Sequence, residues 1–217
     1  TAGEESDDLR LAMSIQKQLL DLLALDRRPF WHYRRFGVDA LLAMGKKSEA
    51  LEYAQASKGF TQADAAIDRV CEDILLSSGL YEEAYRRYGL SAAQGNSYLA
   101  RYRAVAKRYP MIAPTDILSD LIRTTPGEEG KWFATAKELK LFDLALQLVE
   151  HSPCEPKTLT RAVRDFSETE PAFAFGAAMA SLRWLSLGWG YETTTLDVSE
   201  AFDMAIAAAE NAQIDDP

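Results

Sequence analysis

The chain has 217 residues, of which 47% are hydrophobic and 26% charged, and this apolar content excludes a disordered polyelectrolyte and allows a sizeable core. A formal net charge of −9 excludes generic affinity for nucleic acid or an anionic membrane, unless a local basic patch overrides the long-range repulsion. Two cysteines, Cys71 and Cys154, with no CxxC motif, exclude a disulfide-stapled scaffold and point to a reducing, cytoplasmic compartment.

The acidic start, residues 1–8, is expected to be a flexible tail. It lacks an initiator methionine and a signal peptide, so the chain is expected to be the C-terminal part of a larger bacterial protein. Over 7–25, Leu9, Met13, Leu20 and Leu23 recur at helical spacing with Leu11, Ile15, Leu19 and Leu22 beside them. This predicts a helix with more than one buried side, closed by Arg27-Arg28-Pro29.

A second helix is predicted over 31–44, stopped at Gly45, where the missing Cβ permits a left-handed cap. A short partner through Ala50, Leu51 and Ala54 ends near Lys58-Gly59. Thr61 then caps a helix to Ser78, Gly79 stops it, and Tyr81-Glu82-Glu83-Ala84-Tyr85 opens a partner that reaches Tyr88. Asn96 or Ser97 caps the next helix, which Pro110 ends, and Pro114-Thr115-Asp116 starts another through Ile122.

After the break at Thr125-Pro126-Gly127, segments 128–139 and 142–149 form a third hairpin, and Pro153 and Pro156 mark its end. Helices over 157–166, 171–187 and 197–209 follow. In the middle one, Ala174, Gly176, Ala177 and Ala178 permit close approach, so it is expected to be central. Ser181 and Arg183 interrupt its apolar run, which falls short of the ~20 strongly apolar residues of a membrane span. The result is an all-α chain of about twelve helices, organised as one domain over 9–211 with a short tail over 212–217.

The hairpins share a phrase: Gly45-x4-Ala50-Leu51-x-Tyr53, Gly79-x4-Ala84-Tyr85-x2-Tyr88 and Lys140-x4-Ala145-Leu146-x-Leu148. Leu41, Leu75 and Ala136 stand four residues before each turn, and the two glycines are 34 residues apart. Glycine reverses the chain and the small alanine lets two helices pack closely. The pattern from about Trp31 to Gly89, and again from Lys131 to Ser152, resembles the tetratricopeptide repeat, whose period is 34 residues. The resemblance implies a right-handed α-solenoid of antiparallel helix hairpins that serves as a scaffold for partner segments. The chain departs from the family pattern at the position seven before the turn, where Val38, Glu72 and Phe133 replace a small residue. The proline expected 17 residues after the turn is missing at Gln62 and Asn96, and the third copy lacks its glycine.

No P-loop, G-x-G-x-x-G, G-x-S-x-G or H-E-x-x-H motif is present. His151-x2-Cys154 offers two zinc-ligand types where a structural site needs four, and His32 belongs to an aromatic run at a helix start, so neither a metal nor a cofactor is expected. The segment 84–115 carries Arg86, Arg87, Arg101, Arg103, Lys107 and Arg108 with no acidic residue, which leaves the remainder of the −9 chain at −15. These side chains are the candidate contacts to a partner, with Trp189 and Tyr191 of Gly188-Trp189-Gly190-Tyr191. The competing reading pairs the cations with the acidic remainder and uses the two aromatics to plug the array's end. Tyr98, Tyr102 and Tyr109 with Val105 form a stripe that reads as core. The function expected is non-catalytic binding of a protein or peptide, acidic in character. Binding of nucleic acid or a phosphate ligand through the basic segment, or an enzyme without a linear motif, are the alternatives.

Overall fold

The computed structural model describes residues 2–26, 30–59 and 62–213, and over them the chain is helical, with no strand among the described residues. The closure at Arg27-Arg28-Pro29, the Thr61 cap and residues 214–217 of the tail lie outside the described residues. Where the sequence predicts one domain, the structure divides into two units, Thr1–Gln94 and Gly95–Pro217.

The first unit holds α1 (Ala2–Leu25), α2 (Trp31–Ala43), α3 (Lys47–Gln55), α4 (Asp64–Leu76) and α5 (Tyr81–Ala84), which runs on as a π-helical turn, Tyr85–Gly89. The acidic start predicted as a tail is helical from Ala2. The main packing follows chain order: α1 on α2, α2 on α3, α3 on α4, and α4 on α5 and the π turn.

The two glycine turns of this unit have one geometry. Gly45 and Gly79 lie at φ of +74° and +75°, which costs glycine nothing. The amide one residue later reaches back five positions, Lys46 to the Leu41 carbonyl at 2.9 Å and Leu80 to the Leu75 carbonyl at 3.0 Å, in the Schellman arrangement that satisfies a helix C-terminus. Lys46 (φ −91°, ψ 61°) and Leu80 (φ −90°, ψ 58°) then start the second helix, their carbonyls accepting from the Ala50 and Ala84 amides at 2.9 Å. Both alanines are fully buried.

The second unit holds α6 (Tyr98–Arg108), α7 (Pro114–Arg123), a 3₁₀ turn (Glu129–Trp132) leading into α8 (Phe133–Glu138), then α9 (Phe142–His151), α10 (Pro156–Phe166), α11 (Pro171–Ser186) and α12 (Thr195–Asn211). Of the two predicted caps of α6, Ser97 serves: its hydroxyl accepts from the Ala100 amide at 3.1 Å. The turn between α8 and α9 repeats the glycine turns without a glycine. Lys140 takes φ +57°, the Leu141 amide reaches the Ala136 carbonyl at 2.9 Å, and Leu141 (φ −90°, ψ 65°) opens α9 over a fully buried Ala145.

Helix α11 is central to this unit, packing on α9, α10 and α12. Gly176 admits Leu146 of α9, whose Cδ1 would lie 2.6 Å from a Cβ built there. Four rings, Phe133, Phe142, Phe166 and Phe173, fill the interior with centroids 4.6 to 5.9 Å apart. Contacts here also skip along the chain, joining α6 to α8, α9 to α11 and α10 to α12.

Candidate functional site

Helix α10 buries Pro156, Leu159, Ala162 and Val163, so Lys157, Thr160, Arg161 and Arg164, spaced i, i+3, i+4 and i+7, share the outward face. Helix α12 opens with a capping box: the Thr194 amide and hydroxyl both donate to Asp197 Oδ2 at 2.7 Å, and the Asp197 amide returns to Thr194 Oγ1 at 3.4 Å. Glu200 and Met204 follow on the same side. Between the helices opens a cavity of about 300 Å³, lined by the α10 cations, by Asp197, Glu200 and Met204, and by the apolar surfaces of Pro156 and Leu185.

Its walls are electrically opposite. Hydrogen bonds from the Thr194 side chain and backbone, with the Lys157 ammonium adding to them, hold the Asp197 carboxyl below the usual carboxylate range. Arg164 meets its neighbour Asp165 at 2.9 Å. Arg161 and Glu200 are exposed charges on facing walls.

The predicted basic residues are divided between the two units. Arg86 and Arg87 belong to the π turn of the first unit, whereas Arg101, Arg103, Lys107 and Arg108 lie on α6 of the second. Arg87 Nη1 contacts Glu83 at 2.6 Å, Arg87 Nη2 donates to the Tyr88 hydroxyl at 3.0 Å, and the guanidinium lies 5.1 Å over the Tyr88 ring. Arg103 grips Glu138 of α8 at two points, 2.9 and 2.5 Å. Arg86 and Lys107 are exposed, and Arg101 and Arg108 are half-buried with interactions of their own. Tyr102, Tyr109 and Val105 are core, while Tyr98 stands edge-on to Trp132 and donates to Glu128.

Trp189 and Tyr191 lie in the loop between α11 and α12 and are not among the residues that line the cavity. Gly188, at φ +79°, ends α11 in a further Schellman turn, with the Trp189 amide on the Trp184 carbonyl at 2.9 Å and the two indoles edge to face at 6.2 Å. At Gly190, φ +118°, a Cβ would collide with Thr193 and touch Pro156, both of which line the cavity. Tyr191 is 74% exposed.

Sequence reading missed a buried polar group in the first unit. Asp68 and Glu72, one turn apart on α4, are buried, the first ion-paired with Lys58 and the second with Arg69 at 3.2 Å. Cys71, wholly buried, hydrogen-bonds with Tyr88, which also accepts from Gln55. Burial pushes the Cys71 thiol up to about 11 despite the Tyr88 bond, so the nucleophilic thiolate is scarce near neutral pH. The signal was the presence of two acids on a face otherwise lined by Ile67, Cys71, Ile74 and Leu75.

Among the described residues no group of three or more His, Cys, Asp and Glu side chains is placed to hold a metal ion, and no helix is long and apolar enough to cross a membrane. No protein-family model matches the chain, and no curated protein does.

Proposed function

We propose that the chain is a non-catalytic interaction module of the bacterial cytoplasm that binds an acidic protein segment in the groove between α10 and α12. The observation that carries this reading is the groove itself: a stripe of Lys157, Arg161 and Arg164 beside the apolar surfaces of Pro156, Leu185 and Met204. A carboxylate side chain meets the cations while its apolar neighbour covers the floor, and Asp197 and Glu200 across the groove set the direction of the segment by repelling its acids and accepting its amides. Trp189 and Tyr191, exposed in the loop between α11 and α12, offer further aromatic surface of the kind that anchors interfaces.

The tetratricopeptide-like assignment, with the right-handed solenoid it implies, is supported by three turns of one backbone geometry at Gly45, Gly79 and Lys140. Pairing of Arg87 with Glu83 and of Arg103 with Glu138 moves the binding role from the basic segment to the groove.

Selection of phage-displayed random peptides on the immobilised chain tests the reading. Enriched peptides are expected to place Asp or Glu beside an apolar residue and to lose about tenfold or more in affinity to Arg161→Glu or Lys157→Glu, with Arg86→Glu as the neutral control. Enrichment of peptides whose binding ignores both groove reversals, or no enrichment, would overturn it.

A further inference from the structure

The three sides of the groove between α10 and α12 differ in kind. One wall is the α10 stripe of Lys157, Arg161 and Arg164, the other carries Asp197 and Glu200, and the apolar surfaces of Pro156, Leu185 and Met204 make the floor. The walls do not neutralise each other. Among the described residues the side chains of Arg161 and Glu200 take part in no hydrogen bond or ion pair, and Arg164 pairs with its own neighbour Asp165 rather than across the groove. Asp197 takes its hydrogen bonds from the start of its own helix, and Lys157 acts on it only as a nearby charge. Each wall is left to find its counter-charge in whatever fills the groove.

We infer that the segment held there is an α-helix of another protein with three distinct faces: carboxylates along the flank toward α10, apolar side chains against the floor, and cations along the flank toward α12. The inference rests on the reading of the groove as the binding surface for an acidic segment, and it narrows that segment to one conformation and one charge pattern. Successive side chains of an extended strand point in two opposite directions, so a strand laid in the groove addresses its two walls and leaves the floor unmet, or meets the floor and neither wall. A helix turns about 100° per residue, so an apolar residue against the floor sends its successor to one flank and its predecessor to the other. The walls have the matching period. Lys157, Arg161 and Arg164 stand at i, i+4 and i+7, a rise of about 10 Å along α10, and carboxylates at the same spacing on a helix lying alongside meet all of them. Asp197 and Glu200, at i and i+3, are met in the same way by a pair of cations. Carboxylates on both flanks would instead set one row against Asp197 and Glu200. The cavity of about 300 Å³ receives the side chains of one face while the helix backbone stays over its mouth.

Fluorescence anisotropy of labelled synthetic peptides titrated with the full chain is the test. The peptides are about 15 residues long, near the least length at which a helix gains hold in water. The first carries the three faces; the second has its composition with acids and bases mixed on both flanks; the third bears acids on both flanks; the fourth is the first with a central proline. The first is expected to bind about tenfold or more tighter than each of the others and to gain helical circular dichroism on binding. Glu200→Lys, at an exposed position where folding is not at risk, is expected to reverse the order of the first and third peptides. A first peptide that binds no tighter than any one of the others, or an order that Glu200→Lys leaves unchanged, overturns the three-faced helix; if the binding that remains is lost in Arg161→Glu, the groove is still the site of an acidic segment. No binding by any peptide, or binding indifferent to Arg161→Glu, overturns both readings together.

Discussion

The hairpin of α4 and α5 in the first unit and that of α8 and α9 in the second reverse the chain through the same backbone angles, yet they bury different chemistry behind the turn. Seven residues before it, the first places Glu72, buried and paired with Arg69, and the second places Phe133, buried and stacked on Phe173 at 5.9 Å. A turn of this kind is a local object, fixed by five or six residues and their own hydrogen bonds. What its helices bury is decided by neighbours far along the chain. The first unit, packed mainly on sequence neighbours, closes over ion pairs; the second, with helices that skip along the chain, closes over rings.

The largest test of that difference is in the second unit. Phe173 is 4% exposed and touches Phe133, Phe142 and Phe166, so Phe173→Ala is expected to cost about 3–5 kcal/mol in denaturant unfolding, through lost burial and the cavity left. In the first unit, Glu72→Ala leaves the Arg69 guanidinium without its carboxylate and is expected to cost about 3 kcal/mol, the low end for a buried pair because Arg69 is a third exposed. Replacing both partners by residues that fill the space without charge, Glu72→Met together with Arg69→Met, leaves no charge uncompensated and is expected to fall within about 1 kcal/mol of wild type. A loss from the double variant as large as from Glu72→Ala would show that the ion pair itself, rather than the filled volume, holds the first unit together.

Each unit also buries one thiol, which gives the comparison a pH axis. Cys71 in the first is held at about 11 and Cys154 in the second at about 12, chiefly by burial, against an ordinary 9.0. Because the folded value is the higher one, the stabilisation is complete below 9.0, and it is lost as pH rises from there through 11 or 12, while the unfolded thiol ionises first. Over that window wild type is expected to lose on the order of 2 kcal/mol more than Cys71→Ala does, measured as paired urea midpoints. Parallel pH profiles for the two proteins would mean that Cys71 opens to solvent before the unit unfolds.

Most helices were legible in the sequence because glycine, proline and apolar period are local signals: α2 ends at Gly45, α7 begins at Pro114, and α11 is central as its small residues suggest. The groove was not. Lys157, Arg161 and Arg164 form one outward stripe on α10, but nothing local says that Asp197 and Glu200, more than thirty residues on, face it. The pairing of the basic segment was not legible either. Its cations are contiguous in sequence but divided between the units, and Arg103 finds its carboxylate on Glu138, 35 residues away. The π turn at Tyr85–Gly89 lies in a stretch that reads as ordinary helix, and Tyr88 becomes the partner of Gln55 and Cys71 there.

Lys140 is where local and global information meet. Its residue type argues against a left-handed turn, since a side chain at positive φ costs about 1–2 kcal/mol, yet the turn shares with those at Gly45 and Gly79 the bond back five positions and the bond that opens the next helix. The strain must therefore be offset by the packing of α8 and α9 around buried Ala136 and Ala145. Relieving it gives the smallest effect and the sharpest comparison: Lys140→Gly is expected to stabilise the second unit by about 1 kcal/mol, and Gly79→Ala to destabilise the first by about the same amount, in thermal or urea unfolding. Because a Cβ at Gly79 meets no atom within 4 Å, the Gly79→Ala cost isolates backbone conformation from crowding. Equal and opposite shifts would show that the three turns are one energetic unit as well as one geometry. A loss of stability in Lys140→Gly would mean instead that the lysine side chain supplies a contact the turn depends on.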